Sequence, residues 1–207
     1  MRLAILANLN KPKHLNSMSE LYYFMASPSK EENVLTLILE NSPLKEWHFE
    51  KIVREAKVTK AVANKWLKKY IKEGLIKRIK PKRSFPFFTA GSNNQVYYSL
   101  KRVYAFEQLH KGGLIAKLLS LQNAKTIIIF GSIINGDWYK GSDIDIFILG
   151  SLSDFNKNIY EHRLNRHIEL HLFEDKKEIK EIRTGLIKNI INGYILKGQI
   201  QDIAQVA

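Results

Sequence analysis

Two aspartates set two residues apart carry the most chemistry in this 207-residue chain. Asp143 and Asp145 flank Ile144 at the head of an apolar run, Ile146–Leu149. If Ile144 and Ile146 point into a core, strand alternation turns both carboxylates to the opposite face. Carboxylates placed in this way repel and raise each other's pKa unless they share a divalent cation. Hard oxygen donors suit magnesium. Upstream, Lys125–Phe130 reads as a short buried strand running into Gly131-Ser132. Gly131 permits a close backbone approach at the strand end, and Ser132 opens a helix whose free N–H groups and dipole attract an anion. Together these residues describe a metal-triphosphate site.

The run F-G-S-I-I-N-G-D-W-Y-K-G-S-D-I-D-I-F-I-L, Phe130–Leu149, resembles the signature of the minimal nucleotidyltransferases of the DNA polymerase β superfamily. Its parts are a strand ending in Gly-Ser, the interval Ile133–Ser142 with an interior glycine at Gly136, and a Ser-Asp-x-Asp strand. One position departs from the pattern, because an arginine often precedes the interior glycine and Asn135 stands there. The resemblance implies an α/β (α+β) domain with a mixed sheet. It further implies in-line attack of an acceptor on the α-phosphorus of a nucleoside triphosphate, ATP being the expected donor, with two magnesium ions and pyrophosphate leaving. Asp143 and Asp145 are the implied bridging metal ligands, and Gly131, Ser132 and Ser142 the implied nucleotide contacts. Relatives carry a third carboxylate on a neighbouring strand, and Ile168-Glu169-Leu170 answers, with glutamate in place of the usual aspartate. If Ile168, Leu170 and Leu172 alternate inward on an adjacent strand, Glu169 and His171 face the same side as the aspartates. His162, His167 and His171 themselves read as polar surface residues, since no spacing ties them to one metal. Trp138 and Tyr139 either pack in their loop or stack on the base.

Several elements must hold these residues in place. Lys101–His110 and Leu114–Leu121 read as bridging helices broken at Gly112-Gly113, Lys176–Ile191 reads as helical, and Gly193–Gly198 resembles the closing segment of such domains. The domain so defined covers 101–207. Ahead of it, Glu31–Leu39 shows helical spacing up to Asn41-Ser42-Pro43, and a second helix is expected over Glu46–Ala56 with Trp47 inward. Thr59 is the expected N-cap of a third, with Ala63, Leu67, Tyr70 and Ile71 inward and Gly74 as its stop. Leu75–Lys80 and Gln95–Leu100 then read as a β-hairpin with a long tip carrying Phe85, Phe87 and Phe88, either as a dimer contact or as packing against the second domain. Residues 31–100, and Thr59–Ile76 above all, resemble a winged helix-turn-helix DNA-binding domain. Residues 1–30, with one apolar cluster at Leu21–Met25, read as an extension.

Charge follows the same division. Residues 1–100 hold 18 Lys/Arg against 8 Asp/Glu, whereas residues 101–207 hold 15 against 12, so the front half is the polyanion binder. Lys57–Arg83 alone carries 11 basic residues against Glu73. Repulsion at that density is relieved by a phosphate backbone. Helical geometry puts Lys60, Asn64, Lys65 and Lys68 on the outer face of the third helix, where lysines meet phosphates and Asn64 reads an adenine edge. Lys77, Arg78, Lys80, Lys82 and Arg83 belong to the wing. Double-stranded DNA is therefore an expected partner, and the resemblance to the nucleotidyltransferases, which include antitoxins, implies the nucleoside triphosphate and a protein acceptor such as a cognate toxin beside it. The alternative class is a DNA-binding regulator or antitoxin whose second domain binds nucleotide or a partner without turnover.

Composition removes other classes. With no cysteine, disulfide scaffolds, zinc ribbons and thiol nucleophiles are excluded, in keeping with a reducing cytosol. The longest apolar runs fall far short of the ~18 residues of a membrane span, and Leu3–Ala7 is too short for a secretory leader.

Overall fold

A computed structural model describes residues 30–180 and 182–203. The expected extension, with Leu21–Met25, lies outside the described residues. Helix α1 (Lys30–Glu40) buries Val34 and Ile38 one turn apart, and the Asn41 amide donates back to Leu37 O at 2.8 Å where the helix stops. Helix α2 (Phe49–Glu55) is shorter than the sequence pattern predicts. Trp47 lies outside it, buried in an extended segment whose N–H and C=O both pair with the backbone of Phe88. Helix α3 (Lys60–Lys72) starts where Thr59 Oγ1 accepts from Val62 N. It ends in a Schellman arrangement, in which Gly74 at φ +71° lets Leu75 N reach Tyr70 O and Gly74 N reach Ile71 O. Ala63, Leu67 and Tyr70 face inward as expected, but Ile71 is exposed.

Strand β1 (Ile76–Ile79) pairs antiparallel with β2 (Phe87–Ala90), with Ile76 opposite Ala90 and Ile79 opposite Phe87. This corrects the expected hairpin, because Gln95–Leu100 is not its second strand but the start of helix α4 (Gln95–Lys111). The Asn94 side chain accepts from Val96 N and its amide donates to Glu73 O, fixing the helix start against the end of α3. Tyr97, Lys101, Ala105 and Leu109 then bury one stripe at four-residue intervals. Tyr97 belongs to the core beneath α1–α3, whereas Ala105 and Leu109 belong to the core of the second half. One helix thus runs through the 100/101 position and ties the two cores together. The aromatic trio is split, since Phe88 is buried in the first core and Phe85 is 83% exposed.

After α5 (Leu114–Ser120) the second half builds one sheet from β3 (Ala124–Phe130), β4 (Ile144–Gly150), β5 (Ile168–Phe173) and β6 (Tyr194–Lys197). The order is β5-β4-β3-β6, with β4 and β5 parallel and the other pairs antiparallel, so the sheet is mixed. Helices α6 (Ser132–Asn135) and α7 (Lys157–Leu164) lie in the connections. The expected helix over Lys176–Ile191 is two shorter ones, α8 (Lys176–Ile179) and α9 (Thr184–Ile191), the second beginning after Arg183 adopts ψ 137°. Ile127, Ile129, Ile144, Ile146 and Ile148 bury one sheet face with α4 and α5. Ile128, Phe130, Phe147 and Leu149 bury the other with Ile179 and Ile190 from α8 and α9. At about 1.5–3 kcal/mol for each fully buried aliphatic side chain, this two-sided burial is what fixes the strand faces. Leu172 departs from the expected inward alternation of β5, being 42% exposed near its end.

Candidate active site

The strand faces decide where the acids go. With Ile144 and Ile146 committed to the α4/α5 side, Asp145 emerges on the opposite face, at the end of the sheet. Register places Phe130 opposite it on β3 and Glu169 opposite it on β5, and His171 follows Glu169 on the same face. Ligand atoms of Asp145, Glu169 and His171 all lie within 4.8 Å of one another. His171 Nε2 stands 3.4 Å from Glu169 Oε1, and the Phe130 ring lies 5.2 Å from the imidazole. Burial, and then the charges of Glu169 and Asp143, push the Asp145 carboxyl above its ordinary range, while His171 opposes the shift.

Gly131 is the backbone wall of this group. Its φ of +73° and ψ of −141° suit glycine, and a Cβ there would lie 2.0 Å from Asp145 Oδ2. Ser132 follows, and its Oγ is buried without a hydrogen-bond partner among the described residues. Helix α6 is a single turn, so what it offers an anion is its first N–H groups rather than the dipole of a long helix. Asn135 at its end lacks the expected arginine, but Arg102 from α4 donates to Ile134 O at 3.2 Å and supplies a guanidinium to the same helix end. No motif in the sequence pointed to Arg102.

The remaining site residues are placed differently from one another. Asp143 is exposed ahead of β4 and outside the three-residue group, acting on Asp145 through charge. The Ser142 hydroxyl accepts from Tyr139 N at 2.8 Å and donates to Tyr139 O at 2.9 Å, so it closes the turn that leads to Asp143. Trp138 packs in its loop, the first of the two alternatives the sequence leaves open. It is buried with the Arg166 guanidinium 3.6 Å over its ring, and Arg166 Nη1 donates to Tyr139 O. Tyr139 is 43% exposed. His171, placed by the sequence pattern on the face of Glu169 but read as a polar surface residue, is about one-fifth exposed and joins the acid group. The signal was its i+2 spacing from Glu169, which becomes informative once β5 lies beside β4.

On the first half, Lys60, Asn64, Lys65 and Lys68 are exposed along α3, and Lys77, Arg78, Lys80, Lys82 and Arg83 are exposed on β1 and the turn after it. Lys60 pairs with Glu50 at 2.8 Å. A groove of about 1020 Å³ runs between α3 and the hairpin, with Leu67, Ile71, Phe85, Pro86 and Phe88 beside Asn64 and Lys68.

The donor set is compatible with a divalent cation. Two carboxylates and an imidazole converge where Asp145 resists ionising alone, and the glycine wall and orphaned Ser132 hydroxyl lie beside them. Among the described residues no helix is long and apolar enough to cross a membrane.

The family described as "Polymerase beta, Nucleotidyltransferase" matches residues 114–200, which span β3 to β6 and the whole acid group. The mixed α/β fold with its mixed sheet fits a nucleotidyltransferase-type domain. No curated protein matches the chain. Among solved structures, one titled as a toxin-antitoxin with AMP-PNP is 25% identical, with coverage of 44% of this chain and 76% of the other, at a TM-score of 0.32. A second, titled as a mutant of the toxin-antitoxin MntA-HpeT, is 22% identical over 44% and 75%, at a TM-score of 0.31.

Proposed function

We propose that the chain is a metal-dependent nucleotidyltransferase that moves a nucleoside monophosphate from a nucleoside triphosphate, ATP in the first instance, to an acceptor. The observation that carries this reading is the gathering of Asp145 and Glu169 beside Gly131-Ser132 inside the segment that matches the polymerase β family. Asp145 and Glu169 would hold the divalent ion, with Asp143 adding negative charge from the strand entrance. When bound, such an ion supplies charge stabilisation at the attacking and leaving oxygens. Gly131 and Ser132 cradle the triphosphate through backbone N–H groups and the free Ser132 hydroxyl, while Ser142 keeps the Tyr139–Asp143 turn closed. Glu169, whose side chain is about half exposed, would also favour deprotonation of the acceptor.

The first half is read as a winged helix that presents α3 and the β1–β2 turn to duplex DNA through Lys60, Asn64, Lys65, Lys68 and the lysines and arginines of the wing. A second reading has one observation in its favour. The groove beside α3 is floored by apolar side chains, which suits docking of a protein segment, such as a cognate toxin, better than a phosphate backbone. Incubating the full chain with each α-labelled nucleoside triphosphate and a divalent cation, with the product of the neighbouring gene as acceptor, tests the reading. Label transfer that depends on Asp145 supports it, and nucleotide binding without transfer favours the regulator.

A further inference from the structure

We infer that His171 is a nitrogen donor to the divalent ion held by Asp145 and Glu169, and that it biases the site toward manganese over magnesium. The inference rests on the metal-dependent reading above and adds a ligand and a selectivity to it.

Two observations and one chemical principle carry it. The ring nitrogen of His171 belongs to the same 4.8 Å group as both carboxylates. At metal–donor bonds of about 2.0–2.2 Å, ligands of one octahedral ion stand roughly 3–4.4 Å apart. The three donors therefore reach a common ion through small side-chain movements. Second, the imidazole is held: pairing with Phe147 fixes its register, Phe130 lies against its ring, and it is about one-fifth exposed, whereas Glu169 beside it is about half exposed. A histidine serving only as a solvated surface group has no need of such a wall. Third, donor chemistry discriminates. Magnesium is a hard ion that dehydrates reluctantly and takes oxygen ligands, while imidazole suits first-row transition ions. A site of two carboxylates and one imidazole thus gains less from magnesium than an all-carboxylate site does.

The test uses manganese itself as the probe of the full chain. Titration followed by the electron paramagnetic resonance signal of free Mn²⁺ gives affinity, and pulsed spectra of the bound ion report nitrogen coordinated to it. The native chain is expected to show ¹⁴N coupling that disappears in His171→Gln and survives in His167→Gln, whose imidazole pairs with Glu161 elsewhere. His171→Gln is expected to weaken Mn²⁺ binding by about tenfold while changing Mg²⁺ binding, followed by calorimetry, by less than about twofold. Bound Mn²⁺ without nitrogen coupling in the native chain overturns the inference even if the variant fails to fold, and so does an equal loss of both metals in His171→Gln. Mn²⁺ binding that Asp145→Asn leaves intact, or none at all, overturns the metal site itself, so failure of the parent reading is seen separately.

Discussion

Replacing Gly131 by alanine perturbs the site at its tightest point. The backbone there sits at φ +73° and ψ −141°, a region almost reserved to glycine, and holding another residue in it costs about 1–3 kcal/mol. For a loss of about 2 kcal/mol, a domain of this size melts roughly 4–8 °C lower. The added Cβ also starts 2.0 Å from Asp145 Oδ2, against about 3.4 Å for ordinary contact, so the two must part by about 1.4 Å. Misplacing a catalytic group by about 1 Å costs on the order of 10²-fold in rate. Gly131→Ala is therefore expected to lower label transfer by about that factor beyond anything strain alone produces. Gly113→Ala is the control, because Gly113 has a similar φ of +77° but its nearest added contact is Arg163 Nη1 at 3.5 Å, away from the acids. Melting curves and label transfer from α-labelled ATP should show both variants destabilised and transfer lowered about 10²-fold in Gly131→Ala alone. Wild-type transfer by Gly131→Ala, or equal loss in both variants, refutes the idea that glycine is there to admit the Asp145 carboxylate.

Glu169→Gln is expected to cut transfer by about 10²–10³-fold while triphosphate binding, followed by calorimetry, persists, and Glu169→Asp should recover part of the rate. Full activity in Glu169→Gln would remove Glu169 from the chemistry. In the metal-free protein the Asp145 pKa is raised above the ordinary 3.8, so the folded state holds its proton more tightly than the unfolded one. That contribution is present at acid pH and lost as pH rises through the raised pKa. Asp145→Asn should therefore melt higher than the native chain at neutral pH without metal, and lower if the carboxylate is instead stabilising. Lys101 is buried, donates to Asn41 O at 2.7 Å, and has its pKa lowered to about 8 from 10.5, burial being the main cause. Its shift opposes folding below that pKa, so stability followed by urea unfolding should rise between pH 8 and 10, and Lys101→Met should flatten that rise. In duplex DNA binding, Lys65→Ala and Lys68→Ala should each reduce the slope of log K against log salt by about 0.9, and unchanged slopes would favour the protein-docking groove.

Local periodicity was enough for the parts of this protein whose causes are local. Thr59 and Gly74 delimit α3 because capping and a left-handed stop act within one turn, and Ile144 and Ile146 turn Asp145 outward because strand alternation needs no partner. Gly131-Ser132 at the end of a buried strand was legible for the same reason. The sequence could not establish which strands lie side by side. Glu169 meets Asp145 only because β5 joins β4 in parallel register across a 24-residue separation, and that pairing also carries His171 into the acid group. Tertiary packing likewise overruled propensity at Gln95–Leu100, where Val96, Tyr97 and Tyr98 favour strand. The Asn94 cap and burial of Tyr97 on the first core make the segment a helix, and Phe87–Ala90 becomes the partner of β1 instead. Arg102 reaches the end of α6 through the same helix. Contacts of this kind depend on loop closure and on burying two faces of one sheet, a sum over the whole chain that no window of neighbouring residues contains.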